Sequence, residues 1–319
     1  MPSQPTIQEL SALCLQLYDA PLSEVKQCRR LRDPSLDKSL LLRSFPVSPR
    51  PSHRPLHLLY TLLTEVPGQW PTFDLVTCHT RVLKSLPESV KAGANEEFAW
   101  LLKATSELVK QSYGAFSDFI WNEPRPALRT TKTESYITHQ GLRNYVDRFR
   151  LPAHKATSKP TVAIALQNGP LLAATCIAVT TYYTSAPINP AAGAEQFRAD
   201  VRQSGATFIL TSSEDFMKLH MRDWATSDGV RVLFVDWDNG DGIALRDVDG
   251  HPLTDPPGER QPNKADDIGL ILFTSGTSGT KKVVPLTIHS IVAGIVFVID
   301  SWGLTTADVC LNMMPLYHV

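Results

Sequence analysis

Toward its carboxyl end the chain carries Thr274-Ser275-Gly276-Thr277-Ser278-Gly279-Thr280-Lys281-Lys282. Glycines have no Cβ, so successive backbone N–H groups can converge on one point and form an anion-binding concavity. Threonine and serine hydroxyls add further donors, and a lysine adds a mobile point charge. This combination suits phosphate oxygens. The spacing is not that of a Walker A loop, because the first glycine stands at the wrong distance from a Lys-Ser/Thr pair. Nor is it a GxSxG nucleophile elbow, since Ser278 directly precedes Gly279. A flexible Gly/Ser linker would have flexible flanks. Here the strongly apolar Leu270–Phe273 and Val283–Val284 enclose the segment.

Few other residues compete for a chemical role. The five cysteines (Cys14, Cys28, Cys78, Cys176 and Cys310) are widely spaced, with no CxxC pair. That is neither a disulfide framework nor a zinc pattern, and it suits a reducing, cytoplasmic compartment. Cys176 and Cys310 lie in apolar stretches and are expected to be inert core thiols. His53 and His57 are four apart, but Pro55 stands between them and argues against a helical metal pair. No metal ligands are assigned.

Composition narrows the class. A chain of 319 residues, 43% hydrophobic and 20% charged, is long enough for two domains with a substantial core. A formal net charge of −1 argues against nucleic-acid or membrane-surface binding driven by bulk charge. The amino terminus has no basic stretch leading into an apolar one, so it is not expected to be a signal peptide. No apolar run reaches the roughly 18 residues of a membrane span.

The elements that must hold the loop follow from periodicity. Residues 1 to about 50 predict a short amphipathic helix with Leu10, Leu13 and Leu17 on one face, then the proline-rich SFPVSPRPSHRP as a linker. From Leu56 to about Trp121 the pattern is helical, with Phe98, Leu101, Leu102, Thr105, Leu108, Val109 and Tyr113 forming a core-facing stripe. After Pro126 the pattern changes. Apolar strands are predicted at 161–166, 207–212, 231–237 and 269–273, alternating with helices such as the one ending at Gly205. This predicts an α/β fold with mainly parallel sheets and flanking helices, preceded by a helical amino-terminal region. Asp238 to Asp267 is expected to be an exposed excursion between strands. Thr274 to Lys282 is read as a loop, with Thr287 to Trp302 a helix.

In this setting FTSGTSGTKKVV resembles the phosphate loop of the adenylate-forming superfamily of acyl-CoA ligases, luciferases and peptide-synthetase adenylation domains. Thr274, Ser275, Gly276, Thr277, Ser278, Gly279, Lys282 and Val284 fall on the family pattern in order. Lys281 replaces its usual proline and Val283 its usual glycine. A second block also matches, through Asn168, Gly169, Pro187, Asn189, Pro190, Ser204, Gly205 and Ala206. A third, MMPLYHV, is similar to the family's Pro-x-x-His element at Pro315 and His318. The resemblance covers about residues 110 to 319. It divides the chain into a helical, proline-interrupted region of unknown role at 1–110 and an incomplete AMP-binding domain at 111–319.

The resemblance implies a two-step reaction: ATP-dependent activation of a small carboxylic acid as its acyl-adenylate, then transfer to the thiol of coenzyme A or of a carrier-protein pantetheine. It implies ATP and Mg²⁺ as cofactors. Thr274, Ser275, Gly276, Thr277, Ser278 and Gly279, with Lys281 nearby, would hold the phosphates. Lys282 would take part in catalysis, and His318 would orient the carboxylate or gate its pocket. The family's adenine and ribose motifs and its lysine-bearing small domain are expected beyond Val319, so the chain alone is expected to lack full adenylation activity. Two readings stay open: the amino-terminal part of an acid–thiol ligase, or a truncated non-catalytic nucleotide-binding or interaction protein that retains the fold.

Overall fold

The computed structural model describes residues 5–18, 20–47, 51–91, 96–130, 136–153, 159–238, 242–274, 281–305 and 307–317. The chain divides into two compact units, Met1–Tyr113 with His289–Asp308, and Gly114–Ile288 with Val309–Val319.

The first unit is helical: α1 (Ile7–Leu17), α2 (Leu22–Gln27), α3 (Lys38–Arg43), α4 (Arg54–Glu65), α5 (Thr72–Lys84), α6 (Glu88–Lys91) and α7 (Glu96–Gln111), with the apolar helix Ile288–Trp302. A reciprocal cap starts α1, where Glu9 N donates to Thr6 Oγ1 and Thr6 N donates to Glu9 Oε2. The buried stripe of α1 runs through Leu10, Cys14 and Leu17; Leu13, expected on it, is half-buried because the stripe's centre lies one position further on. The expected linker is packed at its start. Phe45 is fully buried, and the Tyr18 hydroxyl donates to the Pro46 carbonyl. On α7, Leu101, Thr105 and Val109 of the expected stripe are buried.

The second unit has the α/β, mainly parallel architecture. A small antiparallel ribbon of β1 (Pro126–Arg129) and β2 (Tyr136–Thr138) leads into α8 (His139–Arg148). The main sheet then alternates with helices: β3 (Thr161–Ala165), α9 (Pro170–Tyr182), β4 (Thr184–Pro187), α10 (Ala194–Ser204), β5 (Phe208–Thr211), α11 (Ser213–Lys218), α12 (Met221–Trp224), β6 (Arg231–Trp237), β7 (Ile243–Arg246), β8 (Ile268–Thr274) and β9 (Lys282–Thr287). Among the described residues its order is β7-β6-β5-β3-β4-β8-β9. The five inner strands are parallel and the two edge strands antiparallel.

Alternation of side chains sorts the core into two layers. Val162, Ile164, Phe208, Leu210, Leu233 and Val235 face α8 and α9, packing on Tyr145, Leu172 and Val179. Ala163, Ala165, Ile209, Val232, Ile271 and Phe273 face α10 to α12, packing on Phe197, Val201 and Phe216. Because both faces are covered, the inner strands are near-continuous apolar runs, which is why the sequence showed them. Gly205 ends α10 at φ +69°, the left-handed cap that favours glycine.

Three expectations are corrected. The segment after Asp238 is not only an excursion: it supplies edge strand β7, and it buries Asn263 and Ala265. Residues 282–287, from the end of the expected loop to the start of the expected helix, form strand β9. Cys310 is exposed, in a stretch whose neighbours Val309 and Leu311 are exposed too. Cys176, on α9, packs against the core that α8 and α9 form with the sheet, and burial pushes its thiol up to about 12. Among the described residues no helix is long and apolar enough to cross a membrane.

Candidate phosphate-binding site

Thr274 ends β8 and Lys282 begins β9, so the described ends of the motif face each other across an antiparallel strand pair. β8 is buried by Ile271, Leu272 and Phe273. Gly269 admits the close packing of α9, since a Cβ there would lie 3.1 Å from Thr180 Cγ2 and closer still to Ile288 Cδ1. β9 pairs with β8 from Ile268↔Thr287 to Thr274↔Lys282. Thr274 and Lys282 are therefore directly opposite at the mouth of the hairpin, on the same side of the sheet. Ser275, Gly276, Thr277, Ser278 and Gly279 lie outside the described residues, as does His318.

The mouth lies at the carboxyl end of a parallel strand, the edge where ligands collect in α/β sheets. A hydroxyl and an ammonium group flank it, and both can donate to an anion. Among the described residues no three His, Cys, Asp or Glu side chains gather as metal ligands. A Mg²⁺ ion in such a place is held mainly by phosphate oxygens and water.

The two lysines occupy different surroundings. Lys282 is exposed. Lys281 Nζ lies 2.5 Å from Asp200 Oδ2 on α10, and Asp200 is 1% exposed. The other carboxylate oxygen, Oδ1, accepts from Gln196 Nε2 at 2.8 Å. Gln203 Nε2 donates to the Lys281 carbonyl at 2.7 Å. The helix that supplies these groups is itself pinned. Arg198 and Arg202 both fork onto Asp228 at 2.7–2.8 Å, and these hydrogen bonds, Arg198 first, hold the Asp228 carboxyl well below the usual carboxylate range.

Two further clusters lie near the carboxyl ends of β3 and β5. Gln167 Nε2 donates to both oxygens of Asp215 at 3.1 and 3.3 Å, and Ser212 Oγ donates to Asp215 Oδ2 at 3.1 Å. Asn168 Oδ1 accepts from Leu316 N at 3.1 Å, and its amide nitrogen lies 3.4 Å from the Met314 carbonyl. Two of the matched blocks are thereby joined, Asn168 of the second to the backbone on either side of Pro315 in the third. Sequence reasoning missed Asp200, although a signal was present: on α10 an acid falls in the buried stripe Phe197, Asp200, Val201, Ser204, and a buried carboxylate requires a cation or donors.

A family model described as AMP-binding enzyme matches residues 122–319. Oxalate–CoA ligase of Arabidopsis thaliana is 31% identical over 137 residues, which is 43% of this chain and 26% of that protein. Oxalate–CoA ligase of Saccharomyces cerevisiae is 25% identical over 233 residues, 64% of this chain and 43% of that protein. The chain thus spans less than half the length of these curated relatives. Among solved structures, o-succinylbenzoate CoA synthetase (MenE) from Bacillus subtilis, in complex with the acyl-adenylate OSB-AMP, aligns with a TM-score of 0.47 at 23% identity, over 61% of this chain and 47% of that one. MatB from Rhodopseudomonas palustris aligns with a TM-score of 0.47 at 17% identity, over 62% and 39%. With the family model running from residue 122 through the hairpin to the last residue, the chain belongs to the AMP-binding enzymes, the adenylate-forming superfamily its loop resembles.

Proposed function

We propose that this chain carries the phosphate-binding part of an ATP-dependent acid–thiol ligase, with coenzyme A or a carrier-protein pantetheine as acceptor. The observation that carries this is the pairing of Thr274 with Lys282 at the end of the β8–β9 pair on the sheet's carboxyl edge, in a chain of this family. We assign the chemistry to the part from residue 111 onward and leave 1–110 without a chemical role.

ATP would supply the activating phosphoanhydride. The chain's own part is to hold that anion still. Thr274 to Gly279 would donate to the phosphate oxygens. The Lys282 ammonium would offset charge that develops as pyrophosphate leaves, and His318 would orient the carboxylate. Donors fixed in advance need no reorganisation as charge develops, and each is worth on the order of 3 kcal/mol of barrier in comparable sites. The relatives are named for oxalate, malonate and medium- to long-chain fatty acids, so the proposal extends to a carboxylate and not to what it is attached to. Five free thiols suit a reducing compartment, and we place the protein in the cytoplasm.

A displacement panel tests this. A fluorescent ATP analogue bound to the 319-residue chain is expected to be released by ATP and by inorganic tripolyphosphate, and not by adenosine. Release by adenosine alone would place recognition on the base and overturn a phosphate site.

A further inference from the structure

We propose that Lys281 is a positioning residue: its ammonium group is committed to the buried Asp200 and fixes where the chain enters β9, which makes Lys282 the cation that meets an anion at the end of the β8–β9 pair. This rests on the phosphate reading of the hairpin.

The first support is direction. In an extended chain adjacent side chains point to opposite faces. Val283 packs with Ile271 and Phe273 in the layer facing α10, and Lys281, two residues before it, lies toward the same layer. Its ammonium group is 6.0 Å from the Phe273 ring centroid, at the outer limit of cation–π attraction. Lys282 points the other way, on the side of Thr274.

The second support is the way Lys281 is held. Gln196, Asp200 and Gln203 recur at four- and three-residue steps, so they line one face of α10. Asp200 takes the Lys281 ammonium, Gln196 fills the other carboxylate oxygen, and Gln203 takes the Lys281 carbonyl. Side chain and main chain of one residue are thus bound to one rigid helix, immediately before β9 begins. Were Lys281 to turn toward a phosphate, it would leave Asp200 buried with, among the described groups, the Gln196 amide as its side-chain partner, and stranding a buried charge is strongly unfavourable.

The two roles predict opposite results for Asp200. By charge alone, Asp200→Asn removes a negative group near an anion site and should strengthen binding of inorganic tripolyphosphate, or leave it unchanged. If Asp200 and Lys281 position the hairpin, Asp200→Asn should weaken it. Titration calorimetry on the 319-residue chain is expected to show tripolyphosphate affinity reduced about fivefold in both Asp200→Asn and Lys281→Met. The double variant should be no weaker than either, and Lys281→Arg should recover most of the loss. The dependence of affinity on salt should be unchanged in Lys281→Met and shallower in Lys282→Met. Unchanged or tighter binding in Asp200→Asn, with Lys281→Met reducing the salt dependence as Lys282→Met does, would make Lys281 a direct phosphate ligand and overturn the proposal. If the unaltered chain fails to bind tripolyphosphate, the phosphate reading falls, and thermal unfolding decides the positioning role. Losses in melting temperature that do not add between Asp200→Asn and Lys281→Met support it, and additive losses overturn it.

Discussion

His79 on α5 shows how far a single side chain can be forced from its ordinary chemistry. It is 5% exposed, and its Nε2 has no hydrogen-bond partner among the described groups. Burial first, and the nearby His289 second, push its pKa down from 6.5 to about 4. The ring is therefore neutral in the fold at pH 7. As pH falls below 6.5, the unfolded chain takes up the proton first, so stability is lost progressively until pH reaches about 4. The full loss is on the order of 3 kcal/mol. Melting temperatures measured from pH 7 to 4.5 should fall more steeply for the natural chain than for His79→Leu, and parallel curves would remove His79 as the cause. Lys281 and Lys282 teach a related lesson. Their residue types were legible as cations beside a glycine-rich segment. Their different surroundings were not, because the contact of Lys281 depends on Asp200, about eighty residues away in sequence and brought near only by packing.

At the scale of elements, α9 ends against a partner no local rule could supply. Asn263 is 2% exposed; its side-chain amide donates to the carbonyls of Thr180 and Tyr183 at 2.8 and 2.9 Å, and its backbone N–H donates to Thr181 at 2.7 Å. The last carbonyls of a helix have no partner within it, so a distant side chain completes the ladder. Replacing Asn263 with leucine leaves two buried carbonyls unsatisfied and should cost on the order of 2–4 kcal/mol in denaturant unfolding; a change below about 0.5 kcal/mol would show that water replaces the amide. The inner strands were legible because burial on both faces makes them unbroken apolar runs. β9 was not, because Pro285 breaks its strand pattern. The structure resolves the conflict by placing Pro285 opposite Ile271 on an edge strand, where a missing N–H can face outward. β7 was hidden in the same way, inside an acidic, glycine-rich stretch at the opposite edge.

For the α/β unit as a whole, strand order sets two candidate places for a ligand against each other. The connection from β3 to β4 runs through α9 on one face, and that from β4 to β5 through α10 on the other. The switch between them lies at β3 and β5, where ligands usually bind in such sheets. There Gln167, Ser212 and Asp215 already satisfy one another, whereas the hairpin mouth on β8 and β9 presents Thr274 and the exposed Lys282. Sequence periodicity showed the class of the sheet but not this order, since apolar strands look alike whichever neighbours they take. Hydrogen–deuterium exchange of the 319-residue chain, with and without magnesium ATP, separates the two places. Slower exchange in peptides spanning 270–287, with peptides carrying Gln167 and Ser212 unchanged, is the expected result. Protection confined to the Gln167 and Ser212 peptides, or no protection in either, would contradict a phosphate site at the hairpin.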